Sequence, residues 1–371
     1  MMSLRSLLKQ EMKSNITKYL DFVYTSQKEL VETGKCLPHT SNKRYCDIPP
    51  HMSFSKLEKF VRDVKTIGYS GVHSGLTSIW SKPNEKYITI LKKVGFGAAH
   101  GTSVKWQLCT GNLYETAVKN DRQVIDRLDP TETVCLNYDL FAGNLAQELS
   151  VDRNVSSVKN ADLLVAALGL KDNELSISQI MLYIIKTVRK VYKNSQRPIV
   201  FEVPGTLGVS MFPSPKHFIE IRNLLKKVYP EARICIDVGH LLTWMHSGMS
   251  LKSLSESLDL LKGTIGMIHI SSAGSHNHNF KCAYVKEHGK HIPDWHIYGL
   301  DLMLALHEKE MLLLIEKVRL QQKNSTLVEV CETRNPTTAI NDYFKTIPMS
   351  DIDDTPYFMS LKLQAKLLGY I

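Results

Sequence analysis

Residues 233–240 read RICIDVGH, a short apolar run in which Asp237 is followed three residues later by His240. Apolar runs of this length are typical of fully buried strands. A second run of the same kind, IVFEVPG at 199–205, has Glu202 at a similar point, and a segment with helical spacing lies between the two runs. Buried strands that alternate with helices indicate βαβ units and a parallel sheet.

The same alternation extends along the chain on both sides of this stretch. Short apolar runs predict strands at 45–48, 71–73, 95–100, 133–138, 198–203, 233–238, 266–270 and 326–331. Amphipathic segments predict helices at 54–66, 84–93, 113–127, 176–193, 215–228, 253–262 and 299–320. This pattern indicates an α/β protein with a closed (β/α)₈ TIM barrel, and a doubly wound open sheet is the structural alternative.

The domain organisation follows from the length of 371 residues. At roughly 150 residues a domain the chain has room for two, but an α/β barrel of this size counts as one. We predict a partly helical N-terminal appendage at 1–43, a barrel at 44–350 and a C-terminal helical tail at 351–371. The stretches 144–175 and 271–298 are additional to the strands and helices that a minimal barrel needs. Long loops of this kind are often functional.

Composition excludes several classes of protein. The 43% of apolar and 22% of charged residues exclude a disordered or fibrous chain. The seven cysteines are odd in number and form no CxxC pair, which argues against a disulfide framework and favours a reducing compartment. With no secretory signal and no apolar run of membrane-spanning length, we expect a soluble intracellular protein without membrane contact. The net charge of +9 permits an anionic partner but equally fits a merely soluble basic protein.

Polar side chains recur where the predicted strands end, which is where (β/α)₈ enzymes place their active sites. They are His100, Tyr138, Asp139, Glu202, Asp237, His240, His269, Glu329 and Glu332, with Asp294 and His296 in the loop that follows the seventh strand. Imidazoles and carboxylates suit zinc, manganese or iron. Converging buried carboxylates repel one another unless cations lie between them, so we predict a multi-metal cluster.

Five motifs give the chain a resemblance to a known family. They are CIDVGH at 235–240, ETRNP at 332–336, Asp294-Trp295-His296, EVPG at 202–205 and His269 in HISS. In these motifs the chain resembles endonuclease IV, the metal-dependent apurinic/apyrimidinic (AP) endonucleases built on a xylose isomerase-like TIM barrel. The resemblance spans roughly residues 45–350 and is strongest after 198.

The resemblance implies a zinc-dependent DNA repair hydrolase that cleaves the phosphodiester 5′ to abasic sites in double-stranded DNA. It implies three Zn²⁺ ions, with two ions, or Mn²⁺ or Fe, as substitutes. The metal ligands would be His100, Asp139, Glu202, Asp237, His240, His269, Asp294, His296 and Glu332. Glu202 would be the catalytic residue, holding a hydroxide between two metals, and His240 with Asp294 and His296 would build the third site. We expect a monomer.

Two regions depart from the family. Its LNFHPG motif supplies a histidine ligand, whereas LNYDLFAG here has Asp139 at that position, with Tyr138 as the weaker choice. The candidate DNA-binding residues are Trp80, Lys82, Lys105 and Trp106. An aromatic side chain flanked by lysine suits base stacking and phosphate contact, and the alternative is a tryptophan packed beneath a loop.

Two other functions fit the same pattern. A metal-dependent sugar isomerase or epimerase would use two carboxylates on such a barrel, as Glu202 and Glu332 would be, to shift a proton at a hydroxy-ketone. It would not need both His240 and the pair Asp294 and His296. A catalytically altered nucleic-acid-binding relative is the third possibility, and Asp139 in place of histidine favours it.

Overall fold

The fold was obtained as a computed structural model. It describes residues 43–47, 54–74, 85–103, 131–137, 197–203, 232–246, 249–270, 272–273, 296–297, 300–321, 327–331 and 356–371, with isolated positions between 119 and 129 and at 223 and 230. The predicted appendage at 1–43 lies outside these residues except for its last position. The extra stretch at 144–175 and the predicted helix at 176–193 also lie outside them, as do most of the predicted helix at 113–127 and nearly all of that at 215–228. The domain boundaries stay a prediction.

Eight parallel strands form a closed barrel, which confirms the (β/α)₈ prediction. The strands are β1 (Lys43–Cys46), β2 (Gly71–Ser74), β3 (Gly97–Ser103), β4 (Val134–Asn137), β5 (Ile199–Glu202), β6 (Arg233–Asp237), β7 (Ile265–Ile270) and β10 (Val328–Cys331). An open sheet would leave two edges, but β1 pairs with β2 and also with β10, so the sheet is closed. Between β7 and β10, the short strands β8 (Ser272–Ala273) and β9 (His296–Ile297) pair with each other antiparallel.

The described helices are α1 (Phe54–Thr66), α2 (Glu85–Val94), α3 (Val238–His246), α4 (Leu251–Leu260), α5 (Leu300–Gln321) and α6 (Pro356–Leu367). Helix α1 shows why they pack outside the barrel: Leu57, Phe60, Val61 and Val64 are buried and lie on one face. None of these six helices is long and apolar enough to cross a membrane. Helix α3 was not predicted, because Asp237 and His240, with Gly239 between them, suggested a turn at the point where the helix begins.

Inside the barrel, the ring of Tyr45 on β1 lies against Gly71 on β2 and Gly97 on β3. Its hydroxyl donates a hydrogen bond of 2.6 Å to Glu132, just before β4. A Cβ atom added at Gly71 on β2 or at Gly97 on β3 would lie less than 3.0 Å from atoms of this tyrosine. The two glycines therefore provide the room through which the side chain of Tyr45 reaches Glu132.

Glu329 on β10 lies away from the barrel interior, in contrast to the sequence-based expectation that it ends a strand at the site. Its neighbours Val328 and Val330 belong to the interior core, so alternation along the strand directs Glu329 to the opposite face. There Arg319 on α5 donates to both of its carboxylate oxygens, at 2.7 and 2.6 Å. The hydroxyl of Tyr370 donates to it as well, at 2.7 Å. Glu329 is thus a structural residue.

Candidate metal centre

Three neighbouring strands place polar side chains in the interior of the barrel at their carboxyl ends. Glu202 is the last residue of β5, Asp237 is the last residue of β6, and His269 lies next to the last on β7. The residues two positions earlier on these strands are in the interior core: Val200, Cys235 and Met267. Because strand side chains repeat every second residue, the polar side chains share that interior face. Asp237 and His269 are direct partners in the register of β6 and β7.

Asp237 also begins helix α3. Its Oδ1 accepts a hydrogen bond of 3.2 Å from the backbone N–H of His240, which is the arrangement of an N-cap. The sequence suggested a turn between these two residues, whereas the structure places His240 in the first turn of the helix. The cap uses one oxygen of Asp237, and the other, Oδ2, is 3.9 Å from Nδ1 of His240.

The ring of His240 is held by the end of β5. Its Nδ1 donates a hydrogen bond to the backbone carbonyl of Val203, an oxygen that can only accept. This bond fixes the tautomer when the ring is neutral, so that Nε2 carries the lone pair. The hydrogen bond thereby holds the ring of His240 in a fixed orientation.

The polar atoms of the centre are closely spaced and buried. Oε1 of Glu202 is 3.6 Å from Nδ1 of His240 and 3.6 Å from Nδ1 of His269. Oδ2 of Asp237 is 3.8 Å from Nδ1 of His269. Asp237 is 0% exposed and Glu202 is 5% exposed. We call Glu202, Asp237 and His240 the carboxylate cluster, with His269 next to it.

This donor set fits a divalent metal ion. Each member of the carboxylate cluster offers a ligand atom within 4.8 Å of the others. Ligands of a tetrahedral ion at about 2.0–2.2 Å are about 3.4 Å apart, so shifts of the order of 1 Å would bring these atoms into coordination. Two carboxylates buried side by side repel each other, and a divalent cation between them removes the repulsion.

The electrostatics of Glu202 show the cost of keeping this centre without a cation. Burial raises the pKa of Glu202 to about 7, against the opposing positive charges of His269 and His240. The ordinary pKa of a glutamate is 4.5. Between about pH 4.5 and pH 7 the carboxyl group of Glu202 would therefore be protonated, whereas an exposed glutamate is ionised. A bound cation would restore the carboxylate.

A second group of metal-binding side chains lies beside the first. His73 on β2, Cys135 on β4 and His269 offer ligand atoms within 4.8 Å of one another, and all three side chains are buried. We call this group the cysteine cluster. Neither His73 nor Cys135 was predicted from the sequence, and neither was Asp47, whose Oδ1 is 3.5 Å from Nδ1 of His73. A signal was present for two of them, since His73 ends the predicted strand at 71–73 and Asp47 is next to last in the predicted strand at 45–48.

Burial and neighbouring side chains set the protonation of the cysteine cluster. Burial favours the neutral thiol of Cys135, but hydrogen bonds to Cys235 and His269 and the charge of His269 lower its pKa well below the usual value. Burial lowers the pKa of His73, but the interactions with Asp47, 3.5 Å from its Nδ1, and with Cys135 outweigh burial, so this pKa is raised. The group therefore favours a thiolate next to histidine.

The remaining predicted residues are described only in part or not at all. His100 lies within β3, where its backbone pairs with Ser74 and Val134. His73 and Cys135 pair instead with the residues on either side of it, Ala99 and Gly101. His296 lies in β9, opposite Ala273. The residues outside the described part of the chain are Trp80, Lys82, Lys105, Trp106, Asp139, Asp294 and Glu332. Their roles as metal ligands or DNA contacts stay predictions.

Comparison with known proteins gives no family model and no curated protein that matches the chain. Solved structures do match. D-psicose 3-epimerase from Clostridium cellulolyticum H10 is 10% identical with a TM-score of 0.48, and 89% of this chain and 99% of that chain are covered. D-allulose 3-epimerase from Methylomonas sp. is 10% identical with a TM-score of 0.47, covering 90% and 98%. 3-Keto-D-glucoside 4-epimerase from E. coli is 13% identical with a TM-score of 0.42, covering 82% and 97%.

The expectation of a hydrolytic AP endonuclease is wrong. The structures just described are named as epimerases, which belong to the isomerase class. The site geometry adds a physical reason. The endonuclease hypothesis assigns His240 to a third metal position with Asp294 and His296, whereas His240 lies 3.6 Å from Glu202 and 3.9 Å from Asp237, within the carboxylate cluster.

Proposed function

We propose that this chain is a metal-dependent isomerase or epimerase of sugars, which moves a proton at a carbon next to a carbonyl group. The observation that supports this proposal is the carboxylate cluster: two buried carboxylates at the ends of adjacent strands, with two imidazoles 3.6–3.9 Å away. Hydroxy-ketones present neighbouring oxygen atoms to such a centre. A carboxylate at its edge can accept a proton from carbon.

Glu202, Asp237 and His240 would hold the metal ion, with His269 beside them. When bound, the ion supplies Lewis acidity, which polarises the carbonyl group and acidifies the neighbouring C–H bond. Asp237 would be fixed by its cap on α3, and His240 by its hydrogen bond to Val203. Because both supports are backbone groups, the positions of these two side chains would change little when a substrate enters.

Glu202 would be the proton acceptor. The reaction removes a proton from the carbon next to the carbonyl, the carboxylate takes it, and the electron pair of the C–H bond moves towards the carbonyl oxygen. For epimerisation a second acid delivers a different proton to the same carbon from the opposite face, while the abstracted proton stays on Glu202 and exchanges with solvent. We propose Glu332, one residue after the end of β10, for this role. For isomerisation the proton returns to the adjacent carbon instead.

The test is solvent deuterium exchange, which reports proton removal even when no net product accumulates. The purified chain is loaded with Mn²⁺, Co²⁺ or Zn²⁺ and incubated in D₂O with a panel of ketohexoses, ketopentoses and their phosphates. We expect one non-exchangeable deuteron to enter carbon next to the carbonyl of at least one sugar. Glu202→Gln should slow this exchange by at least about 10²-fold, because the amide cannot accept the proton.

A matched control is Glu256→Gln, an exposed glutamate on α4 that should leave the exchange rate unchanged. Asp237→Asn should lower the metal content measured by mass spectrometry, because it removes one of the two carboxylates. The proposal fails if no sugar of the panel exchanges deuterium with any of the metals, or if Glu202→Gln exchanges at the rate of the wild type.

A further inference from the structure

The cysteine cluster is built from strands that are not neighbours in the barrel. His73 lies on β2, Cys135 on β4 and His269 on β7, so their side chains meet across the interior. All three are at least 95% buried. Three ligand-type side chains brought together in this way are positioned by the barrel itself and not by one loop or one helix end.

The spacing of the donor atoms fits a single metal ion. Sγ of Cys135 is 3.8 Å from Nε2 of His269, and the rings of His73 and His269 have their centroids 4.7 Å apart. A tetrahedral zinc ion with Zn–S of about 2.3 Å and Zn–N of about 2.0–2.1 Å places its sulfur and nitrogen ligands about 3.6 Å from each other. The cluster is therefore close to coordination geometry.

Asp47 provides the support that a ligating histidine needs. Its Oδ1 is 3.5 Å from Nδ1 of His73, and both side chains are buried. Metal-bound histidines usually donate the N–H of the other ring nitrogen to a carboxylate or carbonyl oxygen, which fixes the ring and raises its basicity. With Nδ1 of His73 facing Asp47, Nε2 is the nitrogen for a metal.

We propose that His73, Cys135 and His269 form a second metal site that binds Zn²⁺. A thiolate with two imidazoles is a softer donor set than the carboxylate cluster and selects zinc over Mg²⁺ or Mn²⁺. Cys135 binds as the thiolate and releases its proton to solvent. His269 lies between the two sites: its Nε2 faces Cys135, and its Nδ1 faces Glu202 and Asp237.

This site joins distant parts of the chain. A metal ion bound there should therefore raise the free energy of unfolding of the barrel. The ligands on β2, β4 and β7 are separated by up to about half of the ring of strands. A metal that binds the native arrangement and not the unfolded chain raises stability by mass action. The proposal concerns metal binding alone and holds whether or not the chain acts on sugars.

The experiment replaces the spectroscopically silent zinc by Co²⁺ in the full-length chain. We expect a sulfur-to-cobalt charge-transfer band in the near ultraviolet for the wild type. Cys135→Ala should lose the band, and its zinc content should fall from about two ions to about one per chain. Cys331→Ala is the matched control: this cysteine on β10 is equally buried, is not a member of the cluster and should keep the band.

The remaining outcomes also decide the question. A triple variant, Cys36→Ala with Cys109→Ala and Cys282→Ala, should keep the band, because the proposal assigns the thiolate to Cys135. It keeps the test informative even if Cys135→Ala does not fold. Absence of a thiolate band in the wild type, its persistence in Cys135→Ala, or its loss in the triple variant would each overturn the proposal.

Discussion

The burial and the charged neighbours of Glu202 determine both its pKa and its proposed role in proton transfer. Its carboxylate lies within 3.6 Å of two imidazole nitrogens and is 5% exposed. Burial is the largest influence on its pKa and raises it to about 7, while His269 and His240 oppose the shift and Cys135 adds to it. The same side chain is thus the preferred base for proton transfer and a source of instability when no cation is bound.

We predict a pH dependence of stability for the chain stripped of metal. In the unfolded chain Glu202 titrates near its ordinary value of 4.5, and in the folded chain near 7. Between these values the native state holds more protons, so its contribution to the free energy of unfolding is fully present below about pH 4.5 and is lost as the pH rises through about 7. Urea unfolding in the presence of a chelator, measured between pH 5 and 8, tests this.

The control for this prediction is Glu202→Gln, which is neutral throughout and should show a smaller loss of stability over the same range. The other ionisable groups facing Glu202 are His240, His269, Cys135 and Asp237, and they are unchanged in the variant. Equal pH slopes for the variant and the wild type would assign the dependence to these neighbours instead.

Part of the site could be predicted residue by residue. Glu202, Asp237 and His269 were predictable because a charged or polar residue inside an apolar strand needs a partner to offset its desolvation, and the strand period directs it inwards. Cys135 was not, because a cysteine inside a strand behaves as a small apolar residue and its sequence neighbours do not reveal a histidine across the barrel. The distance between side chains on opposite sides of the barrel depends on how the ring of strands closes. A local sequence pattern contains no information about that closure.

At the level of elements, the strands were predicted with errors of a few residues, and several helices almost exactly. Helix α1 was expected at 54–66 and is Phe54–Thr66, because its apolar residues repeat with helical spacing. Helix α3 was missed, because Asp237 both ends β6 and caps the helix, which leaves no connecting residues between the two elements. Where one residue has two roles, a sequence pattern shows only one of them.

We predict that Gly71→Ala destabilises the barrel at the contact between β1 and β2. The added methyl group would lie less than 3.0 Å from three atoms of the Tyr45 ring, and such overpacking costs about 1–3 kcal/mol. The free energy of unfolding in urea measures the loss. In a Tyr45→Leu background the same substitution should cost less, because the ring that it meets is gone.

Gly263→Ala is the control for this double-mutant comparison. Gly263 has a φ of +75° in the turn between α4 and β7, and nothing lies within 4 Å of an added Cβ. Its replacement costs backbone strain alone, so the loss should be the same with Tyr45 and with Leu at position 45. If Gly71→Ala also costs the same in both backgrounds, the ring of Tyr45 is not what requires glycine there.

At the scale of the whole molecule, the last part of the described chain holds the closing strand in place. Arg319 on α5 binds Glu329 on β10 and donates to the carbonyl of Leu368 at 3.1 Å. Tyr370 donates to Glu329, and its own carbonyl accepts a hydrogen bond of 3.1 Å from Arg44 on β1. One buried ion pair thus connects both strands that close the ring with the residues that follow α6.

We predict that Arg319→Met lowers the free energy of unfolding by about 3–5 kcal/mol, because it leaves the carboxylate of Glu329 buried without its bidentate partner. The matched control is Lys317→Met, two residues away on α5, which removes a partly exposed ion pair with Asp259 and should cost far less. Chemical unfolding of both variants gives the comparison. Equal losses would contradict the special role of the buried pair.

The pairing of β1 with β10 also has a consequence for how the protein is made. Arg44 and the carbonyl of Tyr370, which it contacts, are separated by 326 residues. During synthesis β1 leaves the ribosome long before its second partner strand exists, so one edge of the growing sheet remains open to other chains. We therefore expect the nascent protein to be prone to edge-to-edge aggregation until β10 arrives, and the joining of the two ends of the barrel to be a slow step of folding.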